Sequence, residues 1–427
     1  MANLNGVDIG KGAQGAPVNT EGDSISAMII ATPAATGLAL NEPTQVFNID
    51  DAKALGLDED HDTTNFVTAA RQLREFYRMA GAGTKLYLML VAQATTQVEI
   101  FTDTAVGAHD SPAKKLAMYA EGEVRQLSVS TNPTVAPVAL NGMSADVYNA
   151  MPLAQAFAKW CYDSSMPLQV LLEGRDYVGN AAASADLKGI PNVKAGKVTV
   201  IIGQDWKYAD SLATVNGATP VFMQTMADVG TAIGTVSKAA INQNMGDNEA
   251  FNLTDSGADA WMVAGLSNHV KNKKQATDLQ TLENKGYVFG VTYVGISGVR
   301  WNGDHTCVAT EIDADGNINE HTISYGRTLD KATRELRTAL LPKVKSNHPV
   351  DPKTGLLPTG VTEYFRGIGL GVFNEMVLRK EISAGDLTID ANSDLVVEKV
   401  LKVTSFKVVP YGYANSIEGD INIKRSL

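Results

Sequence analysis

At 427 residues the chain is too long for one ordinary hydrophobic core, and its 44% apolar and 19% charged content is that of a folded protein rather than a disordered one. A net charge of −11 argues against nucleic acid as a partner, because that binding rests on neutralising phosphates. No run approaches the roughly 20 apolar residues that span a bilayer, and the start MANLNGVDIGKG lacks a secretory pattern, so neither membrane insertion nor secretion is expected.

The charge is unevenly placed. Through Asp259 there are 16 Lys+Arg against 28 Asp+Glu, and 20 against 19 thereafter. The polar run Asn252–Gly257 signals turns at the same place. A domain boundary is therefore expected at 258/259. The two cysteines, Cys161 and Cys307, read as separate, reduced, buried thiols.

In chain order, residues 1–20 hold only a short apolar alternation, Val7 and Ile9, among glycines and polar residues, and read as an arm. Ile25–Thr32 is a buried strand. Thr44–Ile49 is a short extended piece, followed by a helix capped by Asp50. A helix over Asn65–Ala80 is capped from Asp62-Thr63-Thr64, with Arg71, Arg74, Glu75 and Arg78 towards solvent. Lys85–Val91, Leu168–Leu172 and Val198–Gly203 are almost wholly apolar, the mark of strands covered on both faces.

Helices over Val147–Tyr162 and Met223–Asn242 alternate with these strands, and Ala227, Gly230 and Gly234 form a small-residue stripe that invites close approach of another backbone. The pattern predicts an α/β layer with helices on both faces over 21–258. Beyond it come helices at Ala258–Val270 and Thr277–Asn284 and a strand at Tyr287–Gly295. Strands His305–Ile312 and Ile318–Tyr325 are joined by a hairpin turn. Helices follow at Leu329–Lys345, kinked at Pro342, and at Gly360–Arg379.

Residues 259–402 are thus a second, α+β domain, and 403–427 a terminal strand segment. Phe406–Tyr411, with Phe406 and Val408, is one extended run. Ile417, Gly419, Ile421 and Ile423 then alternate with polar residues as in a half-buried strand. A strand pattern at a chain end needs a sheet edge, in the same molecule or a neighbour.

The search for chemistry returns little. The six histidines are scattered, and there is no HExxH, CxxC or GxSxG. Gly367-Ile368-Gly369-Leu370-Gly371 lacks dinucleotide-loop spacing and reads as close helix–helix packing. Asp313, Asp315 and Asn317 have the loop glycine in the wrong place for an EF-hand and read as a turn. No catalytic residue, metal ligand or cofactor is assigned.

Four stretches carry a family resemblance: Gly6–Ile9 with strand Ile25–Thr32, then Phe66–Val91, Asn284–Trp301 and Val403–Ile423. On these the chain resembles the contractile tail sheath proteins of bacteriophages and related injection systems, especially compact prophage-type sheaths. It departs after Trp301, where His305-Thr306 replaces the family's Arg-Thr pair, and 100–145 and 175–195 match nothing. The resemblance implies a non-enzymatic structural subunit without cofactor.

Such a subunit polymerises helically around a tail tube and contracts to drive the tube through a cell envelope. The outer domain would be 21–258, and the inner domain 259–402 would carry both arms, with Val7, Ile9, Phe406, Val408, Ile417, Gly419, Ile421 and Ile423 adding strands to neighbouring subunits. Implied partners are further copies of itself, the tube protein, and baseplate and terminator proteins. The implied setting is a virion or phage-like tail assembled in the bacterial cytoplasm. The alternatives are another tube or baseplate protein, or an α/β enzyme with a cryptic site.

Overall fold

The computed structural model describes residues 22–191, 193–212 and 221–419. Its frame is a six-stranded sheet. β1 (Ser26–Ala31), β2 (Thr44–Val46), β3 (Leu86–Val91), β4 (Gln126–Ser130), β5 (Gln169–Glu173) and β6 (Val198–Ile201) lie in the order β2-β3-β1-β4-β5-β6. All pairs are parallel except the edge pair β2–β3.

Strand periodicity divides the apolar residues between the two faces. Ala27, Ile29, Met89, Val129 and Leu172 face a core shared with α4 (Gln97–Phe101), α5 (Pro112–Tyr119) and α6 (Ala145–Asp163). Met28, Ile30, Leu88, Leu171 and Ile201 face α3 (Ala69–Ala80) and α8 (Val229–Lys238). The expected α/β layer with helices on both faces is present.

Around α3 the sequence reading is corrected. After α1 (Ile49–Ala54), capped by Asn48 rather than Asp50, comes α2 (Glu59–Asn65). It stops at Phe66, whose φ of 53° is left-handed, and α3 begins separately at Ala69. Asp62 nonetheless caps α3, its two carboxylate oxygens accepting from the Ala70 and Arg71 amides at 2.9 Å each.

Arg71 and Glu75 do not face solvent. α8 packs so closely on α3 that a Cβ on Gly230 would sit 2.2 Å from the Gln72 carbonyl oxygen, and one on Gly234 2.6 Å from that of Phe76. The close approach of α8 accompanies the burial of Arg71 and Glu75, while Arg74 keeps a side chain 41% exposed. The helix itself is shorter than expected, with a 3-10 turn over Val221–Thr225 before it.

The chain divides into compact units between Lys331 and Ala332, not at 258/259. The reason is packing. In place of the predicted helix over Ala258–Val270, β8 (Ala264–Leu266) pairs antiparallel with β7 (Gly203–Asp205), which precedes α7 (Trp206–Ser211). Trp261 and Trp301 meet edge to face at 5.2 Å, and their indole N–H groups donate to Thr231 and Thr235 on α8, each at 3.1 Å. The segment after residue 258 is therefore part of the first core.

α9 (Ala276–Asn284) is as expected. The predicted strand Tyr287–Gly295 is reduced to Gly290–Val291 against Arg300–Trp301. The two strands predicted between 305 and 325 are reduced to isolated bridges, Ile312 with Ile318 and His305 with Thr322. Asp313 closes the intervening turn by accepting from the Asp315 and Asn317 amides.

α10 (Ile323–Leu340) starts earlier than predicted and ends in a 3-10 turn, Leu341–Lys343, at Pro342. In the second unit, α11 (Thr359–Leu378) packs on a two-stranded antiparallel sheet of β9 (Ala384–Ile389) and β10 (Val403–Val409). Its core is Ala332, Leu336, Phe365, Phe373, Met376 and Leu387, with Phe406 and Val408 against it.

Candidate functional site

In a doubly wound sheet, ligands bind beyond the carboxyl ends of the strands where the strand order reverses. Here that point lies between β1 and β4, and buried polar side chains bond across it. The Asn132 side chain donates to the Ala31 carbonyl at 2.9 Å and accepts from the Thr68 amide and hydroxyl at 3.0 and 3.1 Å. Glu173, at the end of β5, accepts from Ser130 Oγ, the Thr131 and Ala227 amides and Arg175, at 2.8 to 3.1 Å. Asn132 and Glu173 are both fully buried. Burial pushes the Glu173 carboxyl up, against the pull of Arg175 and its hydrogen bonds. These groups stitch strand ends together.

A second charged cluster is also structural. Arg71 meets Glu75 at 2.9 Å and Asp205 and Asp228 at 3.2 Å each, while Glu75 also meets Arg78 at 2.6 Å. Burial pushes Asp228 up to about 6, opposed by Arg71 and reinforced by Asp205. Beside it lies a cavity of about 320 Å³ lined by Asp62, Phe66, Arg74, Tyr208 and Met223 among others.

Burial lifts both cysteine thiols to about 12, which makes them poor nucleophiles. Among the described residues no cluster of His, Cys, Asp or Glu could hold a metal ion, and no helix is long and apolar enough to cross a membrane.

What remains is the terminal hairpin. β9 and β10 pair over Ala384–Val409, Leu387–Phe406 and Ile389–Val403. One face, with Leu387, Ile389, Phe406 and Val408, joins the second core, while Asp386, Thr388 and Lys407 are exposed. Among the described residues each strand has one paired edge and one open edge.

Of the residues predicted to form an intersubunit arm, Phe406 and Val408 lie in this hairpin, so 403–409 pairs first within its own chain. Ile417 and Gly419 lie beyond it, exposed and outside any strand; Ile417 is 96% exposed. Val7, Ile9, Ile421 and Ile423 fall outside the described residues. The sequence reading missed β9. Its signal is the alternation Leu387, Thr388, Ile389 after Gly385, short enough to pass for a loop.

Comparison with solved structures places this architecture. The chain is similar to the helical sheath of the anti-feeding prophage in its contracted state, at 13% identity and TM-score 0.58, over 99% of both chains. It is similar to a chain of the anti-feeding prophage baseplate at 16% identity and TM-score 0.56, over 99% of this chain and 100% of that one. The sheath complex of an extracellular contractile injection system, also contracted, matches at 10% identity and TM-score 0.52, over 100% of this chain and 99% of that one. The fold is therefore that of contractile sheath proteins, as the sequence resemblance implied.

No curated protein sequence matches the chain. Family models do: residues 4–305 match the N-terminal domain of DUF2586 and residues 321–427 its C-terminal domain. Together these matches take in nearly all of the sequence, and the chain belongs to the DUF2586 family.

Proposed function

We propose that this protein is the structural subunit of a contractile tail sheath, polymerising helically around a tail tube and contracting to drive that tube through a cell envelope. One observation carries the reading: the fold match to sheath chains extends over 99% or more of this chain. The hydrogen-bonded side chains at the switch point and the buried, proton-holding thiols support a non-enzymatic role. Assembly proceeds by strand addition. The open edges of the β9–β10 sheet receive terminal segments of neighbouring copies, residues 1–20 with Val7 and Ile9, and the tail with Ile417, Gly419, Ile421 and Ile423. Such a head-to-tail contact does not close and generates a helix.

The second unit forms the inner, tube-facing layer and the first the outer layer. The tube, baseplate and terminator proteins are the further partners, and the particle is assembled in the bacterial cytoplasm. Electron microscopy of the purified protein tests this. Hollow tubes are expected from the full chain. Deleting 416–427 should leave the thermal melt unchanged, because Ile417 and Gly419 contribute nothing to the core, while tubes disappear. Particles that stay monomeric over a wide range of salt and concentration contradict the proposal.

A further inference from the structure

The root of the N-terminal segment is held in an unusual way. Asp23 is 5% exposed, and two cations from α10 converge on it. Lys331 Nζ donates to its carboxylate at 2.5 Å, and an Arg327 guanidinium nitrogen donates to its backbone carbonyl at 3.1 Å. Arg327 also donates to the Ala239 and Ala240 carbonyls at the end of α8, each at 3.3 Å. The next residue is held too, the Ser24 carbonyl accepting from Ser237 Oγ at 2.6 Å.

α10 is itself fixed by buried charge. Asp330 accepts from Lys197 at 2.7 Å and from Gln169 at 3.2 Å, and the Lys197 ammonium also pairs with Glu320. Gly326 lies so close to Gln169 that a Cβ there would be 2.4 Å from its side-chain nitrogen. The helix then runs on without interruption past Lys331, and Ala332 and Leu336 belong to the second core.

We infer that Asp23, Arg327 and Lys331 form a mechanical graft, through which a pull on the N-terminal segment is borne by α10 rather than by the end of β1. The inference rests on the proposed function only for the source of the pull. Charge-assisted hydrogen bonds are roughly twice as strong as neutral ones and gain further in a dry setting, and these two hold the backbone and side chain of one residue. Without them, a force on the segment would pass to the Ser24–Ser237 hydrogen bond and then to the amino end of β1, loading its ladder with β3 and β4.

Single-molecule pulling on the monomer tests the graft without any need for assembly. Handles are attached through Asn3→Cys and Val344→Cys, since Cys161 and Cys307 are buried and unreactive. Lys331→Met should lower the first rupture force at least twofold, and Lys331→Arg should restore most of it. Hydrogen exchange on the same variant should accelerate at least tenfold at residues 23–26 and 323–331 together, leaving α11 unchanged.

If Lys331→Met unfolds the protein, the pair replacement Asp23→Asn with Lys331→Met, which removes both members of the ion pair together, serves in its place. Rupture force and exchange equal to wild type in the folded variant overturn the graft. Failure of the full chain to form tubes would refute the sheath reading and leave this result intact.

Discussion

Asp62 sits where a helix cap and a cavity wall coincide. Burial pushes its carboxyl up to about 7, against the pull of the Ala70 and Arg71 amides and of Arg74. The folded-state value thus lies above the ordinary 3.8, so between about pH 4 and 7 the folded chain holds a proton that the unfolded chain has released. Stability from this group is present at low pH and is lost as pH rises through about 7, with a slope of at most about 1.4 kcal/mol per pH unit. Asp62→Asn keeps an acceptor and removes the titration. In urea melts from pH 5 to 8, wild type should lose stability relative to Asp62→Asn as pH approaches 7, and the gap should then level off. Parallel curves would refute this. The cap was legible in the sequence because Asp before a helix has a local meaning. Its burial was not, because the cavity it lines is walled in part by Tyr208 and Met223, far along the chain. Arg71 and Glu75 were misjudged for the same reason: helical periodicity shows a charged side but not that Asp205, Asp228 and α8 will close over it.

Two helices use glycine in opposite ways, and the difference is measurable. On α8, Gly230 is a contact point, so Gly230→Ala sets a gain in helix propensity of about 1 kcal/mol against a Cβ 2.2 Å from the Gln72 carbonyl oxygen. Overpacking against backbone costs more than that, and a net loss of about 2 kcal/mol is expected. On α11, a Cβ at Gly367 meets nothing within 4 Å, so Gly367→Ala should stabilise the monomer by up to about 1 kcal/mol. Denaturant melts of the two variants should shift in opposite directions; a shared sign would show that intrachain packing does not govern both. The stripe was readable because Ala227, just ahead of α8, and Gly230 and Gly234 on it recur at helical spacing. In Gly367–Gly371 only Gly369 has a close neighbour, and that is Leu387 of β9 rather than a helix. The buried parallel strands could be read because runs such as LYLMLV need no partner to be recognised. β8 depends on pairing with β7, far back along the chain, which local pattern does not encode.

For the whole molecule, moving the boundary sharpens the contrast in charge. Through Lys331 the sequence holds 23 Lys+Arg against 36 Asp+Glu, a balance of −13, and from Ala332 onward 13 against 11, a balance of +2. The sequence alone showed the asymmetry but put the division too early, since turns at 252–257 mark a loop whether or not a core ends there. In a tubular wall the inner layer is crowded, and many copies of one unit lie within reach of each other's fields. Screening at physiological salt acts over about 8 Å, so the like-charge penalty falls on close contacts rather than on the particle as a whole. A nearly neutral unit tolerates that crowding, and a strongly acidic one is better placed outside, where solvent separates the copies. The second unit should therefore face the tube. Limited proteolysis of assembled tubes measures this. Cuts are expected in loops of the first unit, around Ala105–Pro112, where Val106 is fully exposed, and around Asn180–Lys197. The segment beyond the hairpin, from Pro410 to the C-terminus, should be protected in tubes and cut in free subunits. Rapid loss of that segment from intact tubes, with the acidic loops untouched, would place the layers the other way round.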